Sequence, residues 1–375
     1  MTMNKRLKIV IGALIILLVA LSGAAYIGGW LEIPGPDVAG EEQIYPGYPR
    51  TIVDSAGRNV TISMPIKRII TLTSDSAECV RALGEVDNIV AVTETIMDGE
   101  GGVYFYELKE KPVVGTWREC DYEKIVEIAK GDTDTVIPDI LVVCYAAKAS
   151  EIGEQLSPFG IPVVGLDFYI PSTLTEEVET LGYILEREDE AQNFIDWRQQ
   201  REDAVRSAVE GLEKPKVYLE RGISIGTGDL GTYGQGSALN EFCEIAGGNN
   251  IAGDIEAQYP KVGWEWVIAQ NPDVILKEEP QTFLGVTSMA QEMRDEIMNR
   301  PGAENVSAIK NGRVHILTYK VTYGLGSVVG LTYWAKIIHP DVDLDPEAVY
   351  RAYLEDFQGI EYPAEKMVLY PEIPR

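Results

Sequence analysis

The chain has 375 residues, 45% hydrophobic and 24% charged, with 59 acidic residues against 32 basic ones and a formal net charge of −27. That length supports two domain-sized units with buried cores, and the acidity argues against nucleic acid or anionic lipid surfaces as partners of the folded part. Two histidines and four cysteines without a C-x-x-C pair argue against a zinc or copper site, so neither a resident metal nor a cofactor is expected.

At the N-terminus Lys5, Arg6 and Lys8 precede an uncharged apolar run from Ile9 to Leu31. Roughly 23 residues at about 1.5 Å each reach about 34 Å, enough for a hydrocarbon core of about 30 Å, whereas a signal-peptide core is usually about 7–15 residues. Residues 1–31 therefore read as a signal or transmembrane anchor. An uncleaved anchor is preferred, and Ser22, Gly23, Ala24 and Ala25 offer the alternative of cleavage; no Cys follows the run to carry a lipid. Basic residues before the run keep that end in the cytoplasm and place the remainder on the outer face of the membrane. Residues 32–49, rich in Pro and Gly, read as a linker.

Arg50 to Met64 reads as two short strands around the turn Asp54-Ser55-Ala56-Gly57, followed by an apolar β run from Lys67 to Thr73 and a helix from Ser76 to Leu83 that stops at Gly84. A weak repeat then emerges. Ala77-Glu78-Cys79 through Gly84 resembles Asn240-Glu241-Phe242-Cys243 through Gly247. Tyr122-Glu123-Lys124-Ile125-Val126 leads to Pro138-Asp139 and an apolar strand, as Trp264-Glu265-Trp266-Val267-Ile268 leads to Pro272-Asp273 and another, with an insertion around Gly131 to Thr135 in the first copy. Two matches in one order predict an α/β fold of two Rossmann-like lobes with mainly parallel central sheets, at residues 50–172 and 213–344. Between them, residues 173–212 have helical spacing with no Gly or Pro from Glu186 to Glu210, which predicts one long helix of about 37 Å joining the lobes. Residues 345–375 read as a C-terminal helix and tail, opened by the capped start Asp345-Pro346-Glu347.

One loop carries two catalytic fingerprints. Gly222-Ile223-Ser224-Ile225-Gly226 fits G-x-S-x-G and keeps a serine hydrolase using Ser224 in view, but a Gly-rich stretch follows it instead of a helix. Gly226-Thr227-Gly228-Asp229-Leu230-Gly231 fits G-x-G-x-x-G, and the next helix starts too late, near Ser237, to meet a pyrophosphate. A backbone that passes close to a ligand or to the opposite lobe explains the glycines better, so no enzyme is expected.

In order and spacing, Asp54 to Ile62, Arg68 to Ser74 with Glu78 and Ala82-Leu83-Gly84, Val114-Gly115-Thr116-Trp117, Tyr122-Glu123-Lys124-Ile125, Pro138-Asp139, Gly160 to Val164, Gly247 to Ile251, and Glu265 before Pro272-Asp273 carry a resemblance. Together they make the chain similar to the cobalamin and iron-siderophore binding proteins of ABC importers, whose lobes are joined by one helix. The resemblance implies a receptor that captures a metal chelate, an iron complex or a corrinoid, and delivers it to a permease dimer powered by a separate ATPase. Glu123 and Glu265 fall where that family places one acidic residue per lobe to meet permease arginines, and Trp117 falls where it faces a corrin ring.

Arg118, Lys148, Arg221 and Lys320 are candidate partners of an anionic chelate, and Tyr145, Tyr169, Tyr233, Tyr319 and Tyr323 are candidate ligand contacts at loop positions. Where cobalamin binders carry a cleft aspartate, this chain has Tyr319-Lys320. That departure favours an anionic ferric siderophore over cobalamin.

Overall fold

The computed structural model describes residues 45–98, 101–280 and 282–373, and the expected N-terminal membrane segment lies outside them. Among the described residues no helix is long and apolar enough to cross a membrane, and all four cysteines are free thiols.

Strands β1 (Arg50–Val53) and β2 (Asn59–Ile62) form the expected antiparallel hairpin. Its turn is organised by Asp54, whose carboxylate accepts the amides of Ala56 and Arg58 and pairs with the Arg58 guanidinium at 2.6 Å. Strands β3 (Arg68–Thr71), β4 (Ile89–Ala91), β5 (Ile140–Cys144) and β6 (Val163–Gly165) make a wholly parallel sheet in the order β4-β3-β5-β6. The second half supplies β7 (Lys216–Glu220), β8 (Leu230–Gly231), β9 (Asn249–Asn250), β10 (Lys261–Val262), β11 (Val274–Glu279), β12 (Val314–Thr318) and β13 (Leu369–Tyr370). Its sheet runs β13-β12-β11-β7-β9, parallel except for β13, while β8 and β10 pair antiparallel on their own.

Without β13, the order β9-β7-β11-β12 repeats β4-β3-β5-β6 strand for strand. The sequence repeat is therefore a repeat of topology. Strands buried on both faces read as apolar runs, and β5 is buried at every position. In each lobe a helix, Tyr122–Lys130 or Trp264–Gln270, ends on a residue with positive φ, Gly131 or Asn271. The Pro-Asp that follows fastens the next strand to the first strand of its sheet. Asp139 accepts the Arg68 amide on its carbonyl and the Arg68 guanidinium on its carboxylate, at 2.8 Å. Asp273 ties Lys216 with a different pair of bonds, its amide donating to the Lys216 carbonyl and its carboxylate accepting the Lys216 amide.

The expected single helix between the sheets is two. Leu174–Leu185 stops at Glu186, which has φ +58°, and Glu188–Val209 follows after Arg187. The break comes from packing rather than from a helix breaker. Gly182 lies so close to the second helix that an added Cβ would stand 2.6 Å from the Ala191 Cβ. The remaining 22 residues span about 33 Å. The C-terminal segment ties the whole together: Phe357 packs on Phe194 and Trp197, Gln358 donates to the Glu78 carbonyl, and β13 extends the second sheet.

The two lobes meet at a buried ion cluster. Lys320, just after β12, places its Nζ 2.8 Å from Asp75 Oδ1 and 2.9 Å from Glu78 Oε2, both on the helix Ser74–Ala82 of the first lobe. All three side chains are buried. Tyr145 donates to Asp75 and Tyr104 to Glu78, at 2.9 and 2.5 Å. Burial alone would lower the Lys320 pKa, but the two carboxylates outweigh it and raise it, so the ammonium stays charged. Gly324 has φ +68°, and a Cβ there would sit 2.6 Å from Asp75 Oδ1.

Lys320→Met leaves two buried carboxylates without a cation and is expected to lower stability by about 3–5 kcal/mol. Gly324→Ala, strained in backbone and pressed into the cluster, is expected to cost on the order of 1–3 kcal/mol. Urea denaturation measures both, and an unchanged midpoint for Lys320→Met would show that the lobes do not rely on this cluster.

Candidate ligand-binding cleft

Parallel sheets leave their helix starts and connecting loops at the carboxyl ends of the strands, where ligands of open α/β folds bind. Both sheets turn those ends toward one cavity of about 470 Å³. From the first lobe come Asp75 after β3, Trp117 in the loop after β4, Tyr145 and Ala147 after β5, and Asp167 and Tyr169 after β6. From the second come Arg221, Gly222 and Ile223 after β7, Tyr233 and Tyr259 from the loops around β9, Glu278 and Pro280 at the end of β11, and Tyr319 and Tyr323 after β12.

The aromatic residues form two walls. Trp117 meets Tyr145 edge-on at 5.4 Å between centroids, and Tyr145 meets Tyr169 edge-on at 5.6 Å. Across the cavity Tyr319 and Tyr323 lie 4.8 Å apart at 30°. The hydroxyls of Tyr233 and Tyr323 are 2.7 Å apart, and Tyr233 also donates to Glu278. Edge-to-face packing fixes ring directions, so these walls are held in shape before any ligand arrives. Burial raises the Tyr169 pKa to about 12, which keeps its hydroxyl protonated.

The charges are the informative part. Three carboxylates line the cavity, from Asp75, Asp167 and Glu278, against one cation among the described residues, Arg221, whose guanidinium lies 5.0 Å over the Tyr259 ring. Asp75 shares the one Lys320 ammonium with Glu78, so that cluster keeps one negative charge. Burial raises the pKa of Asp167 against its single backbone hydrogen bond from Ala146, and burial raises that of Glu278 against the bond from Tyr233. Both are carboxylates with less solvation than they would have in water.

Seven of the ten sequence candidates for ligand contact come together here: Trp117, Tyr145, Tyr169, Arg221, Tyr233, Tyr319 and Tyr323. The three other cations do not line the cavity. Lys320 is spent in the ion cluster between the lobes, Lys148 pairs with Glu151 on its own helix, and Arg118 is exposed, stacked 4.4 Å over Trp117. Asp75, Asp167, Tyr259 and Glu278 were not singled out in the sequence. A signal existed for Glu278, because Lys277-Glu278-Glu279 ends an otherwise apolar strand that is buried throughout.

Lys277 explains that run. Its Nζ bonds Glu220 Oε1 at 2.7 Å and the Ser224 carbonyl, and Arg300 grips the same Glu220 with both nitrogens and reaches Glu296 at 2.7 Å. Glu296 in turn accepts the Gly226 amide. The glycine-rich loop is thus pinned from below while Ile223 and Ile225 stand exposed on it. The Ser224 hydroxyl accepts from the Gly231 amide, and neither histidine accompanies it: His315 faces the Pro371 carbonyl and His339 the Gly247 carbonyl. No helix follows the serine, so neither fingerprint in this loop has its structural context. Glu123 and Glu265 are exposed in the first turns of the paired helices Tyr122–Lys130 and Trp264–Gln270, away from the cavity.

Comparison with known proteins agrees with this arrangement. A family model described as periplasmic binding protein matches residues 69–320. Over 339 residues the chain is 25% identical to the ABC transporter substrate-binding lipoprotein YvrC of Bacillus subtilis, with 87% of each chain covered. Over 163 residues it is 26% identical to the vitamin B12-binding protein of Salmonella paratyphi A, a match that covers 44% of this chain and 57% of that relative, little more than half its length. Among solved structures, the TroA-like periplasmic binding protein FepB from Veillonella parvula superposes with a TM-score of 0.71 at 19% identity, over 86% of this chain and 99% of that one. That likeness is one of fold. With the parallel strands of both sheets covered by the matched span and their carboxyl ends facing a shared cleft, the chain belongs to the periplasmic binding protein family.

Proposed function

We propose that this extracytoplasmic receptor of an ABC importer captures a compact metal chelate of zero or positive net charge, a ferric trihydroxamate being the class that fits best. The observation that carries the reading is the charge inventory of the cleft: Asp75, Asp167 and Glu278 line it with Arg221 alone among the described residues opposing them, and Lys320 is already paired. An anionic complex would enter a cavity whose unpaired charges repel it, so the expectation of an anionic siderophore is replaced. About 470 Å³ lies in the range of drug-sized ligand sites, roughly 300–1,000 Å³, and suits a compact chelate held between aromatic walls.

A corrinoid is the second reading. The vitamin B12-binding relative and the wall of Trp117, Tyr145 and Tyr169 support it, and the objection drawn from Lys320 disappears once that lysine is paired elsewhere. A corrinoid would place only part of its ring in a cavity of this size.

For delivery, we assign Glu123 and Glu265 to docking on the permease dimer. They are the second residues of helices that are equivalent in the two lobes, so a two-fold partner meets the same acid on each side. Ligand capture and docking then occupy different faces, and the long helix Glu188–Val209 between the lobes limits how far they open, because bending it costs backbone hydrogen bonds.

Titration of the full-length protein followed by tryptophan fluorescence should saturate with an uncharged or cationic ferric trihydroxamate and show no saturation with a trianionic ferric triscatecholate. Tight binding of the triscatecholate would overturn the charge argument. For a cationic chelate the affinity should also fall on acidification. The bound cation favours the ionised forms of Asp167 and Glu278, so binding releases protons and weakens as pH drops through their pKa values. Those lie above the ordinary carboxylate range of about 4. An uncharged chelate should show a much flatter profile.

Glu123→Arg and Glu265→Arg should leave chelate affinity unchanged and sharply reduce uptake in cells, each by the loss of a charge-assisted pair of about 1.5–3 kcal/mol plus new repulsion. Transport that survives the double reversal would remove these residues from the docking surface.

A further inference from the structure

Beside the main cavity lies a second chamber of about 300 Å³, and Tyr169 and Tyr259 line both. It continues the cleft between the lobes, with Ile170 and Ser172 on one side and Gln258 and the start of the helix Ala238–Ile245 on the other. Its charged lining residues are both acids, Glu241 and Glu244. Asn240, itself buried, donates to Glu244 Oε1 at 3.0 Å and accepts from Asn250 at 2.8 Å, so this carboxylate is held from behind. Gln258 spends its amide N–H on the Gly236 carbonyl, leaving its oxygen as a further acceptor.

A helix start would ordinarily favour an anion. Here the Ser237 hydroxyl already caps it, accepting from the Asn240 amide, and Glu241 occupies its first turn. The buried Arg198 guanidinium interacts electrostatically with Glu241 but pairs with Glu202 and does not line the chamber. The chamber therefore offers acceptors and negative charge, and no cation lines it among the described residues.

We infer that this chamber is a subsite for a positively charged, donor-rich arm of the ligand, a primary ammonium on a short alkyl linker, with Tyr169 and Tyr259 framing the passage from the metal-bearing body to the arm. The inference rests on the chelate reading above and adds to it a determinant of which chelates are preferred. About 300 Å³ is the volume of roughly ten waters, enough for an ammonium and several methylenes.

The test is calorimetric titration of the full-length protein with two ferric complexes of one linear trihydroxamate, the first carrying a pendant ammonium and the second its N-acetylated, uncharged form. The wild type should bind the ammonium form about five- to tenfold more tightly, a magnitude typical of partly solvated charge pairs. Glu241→Gln/Glu244→Gln should abolish the preference and leave the acetylated form's affinity unchanged. Ser172→Lys, at an exposed position, should weaken the preference. Equal binding of both complexes by the wild type, or a preference that survives the double substitution, overturns the subsite and leaves the chelate reading standing. If neither complex binds, the chelate reading fails and the subsite with it.

Discussion

Lys320, buried between Asp75 and Glu78, is the contact on which the relation of the two lobes depends. Its carboxylate partners sit on the first helix of one lobe, and the lysine sits after the fourth parallel strand of the other. An ion pair taken out of water gains little net free energy, because desolvation cancels most of the attraction. What it supplies is geometry: a buried charge tolerates only the arrangement that pairs it. Asp75 is held by Lys320 on one oxygen and by the Tyr145 hydroxyl on the other, so the wall of the cleft and the junction of the lobes are one construction. Gly324 belongs to it too, since any side chain there would enter the cluster.

The same pairing removes a cation from the cleft, and this is where reading the sequence alone goes astray. Lys320 follows a strand, as a ligand-binding residue should, and nothing in its neighbours Tyr319 and Val321 reveals a partner 245 positions away. Lys148 and Arg118 mislead for a milder reason: one is satisfied within its own helix, and the other lies on the outer face of Trp117. Aromatic residues transfer better from sequence to site. A tyrosine at a strand end keeps its direction whatever its neighbours' charges, and Tyr145, Tyr169, Tyr233, Tyr319 and Tyr323 all reach the cavity.

The architecture was more legible than the site because it is written in local terms. Apolar runs mark strands buried on both faces, and each Pro-Asp marks a strand start that Asp139 or Asp273 ties to its neighbour. The strand order common to both lobes follows from repeating those signals in one sequence order. The break at Glu186 was illegible for the opposite reason. No Gly or Pro stands there, and the turn is imposed by the close approach of Gly182 to Ala191, a tertiary contact.

Two buried charge networks bracket the cleft, and only one of them neutralises itself. Glu220 and Glu296 balance Lys277 and Arg300 beneath the glycine-rich loop, whereas at the lobe junction Lys320 faces two carboxylates, Asp75 and Glu78, and one negative charge is left over. The field of the first largely cancels, while the second adds negative potential to the wall that it shapes. Asp167 and Glu278 against Arg221 supply the rest, joined beyond Tyr169 and Tyr259 by Glu241 and Glu244. The strongly acidic chain around them, at a net charge of −27, acts in the same direction at longer range, drawing cations toward the mouth and slowing the approach of anions. In the reading proposed above, selection by charge is distributed over the molecule, while selection by shape is confined to the aromatic walls. On that same reading, a chelate satisfies both when its metal centre is already neutralised by its own donor atoms.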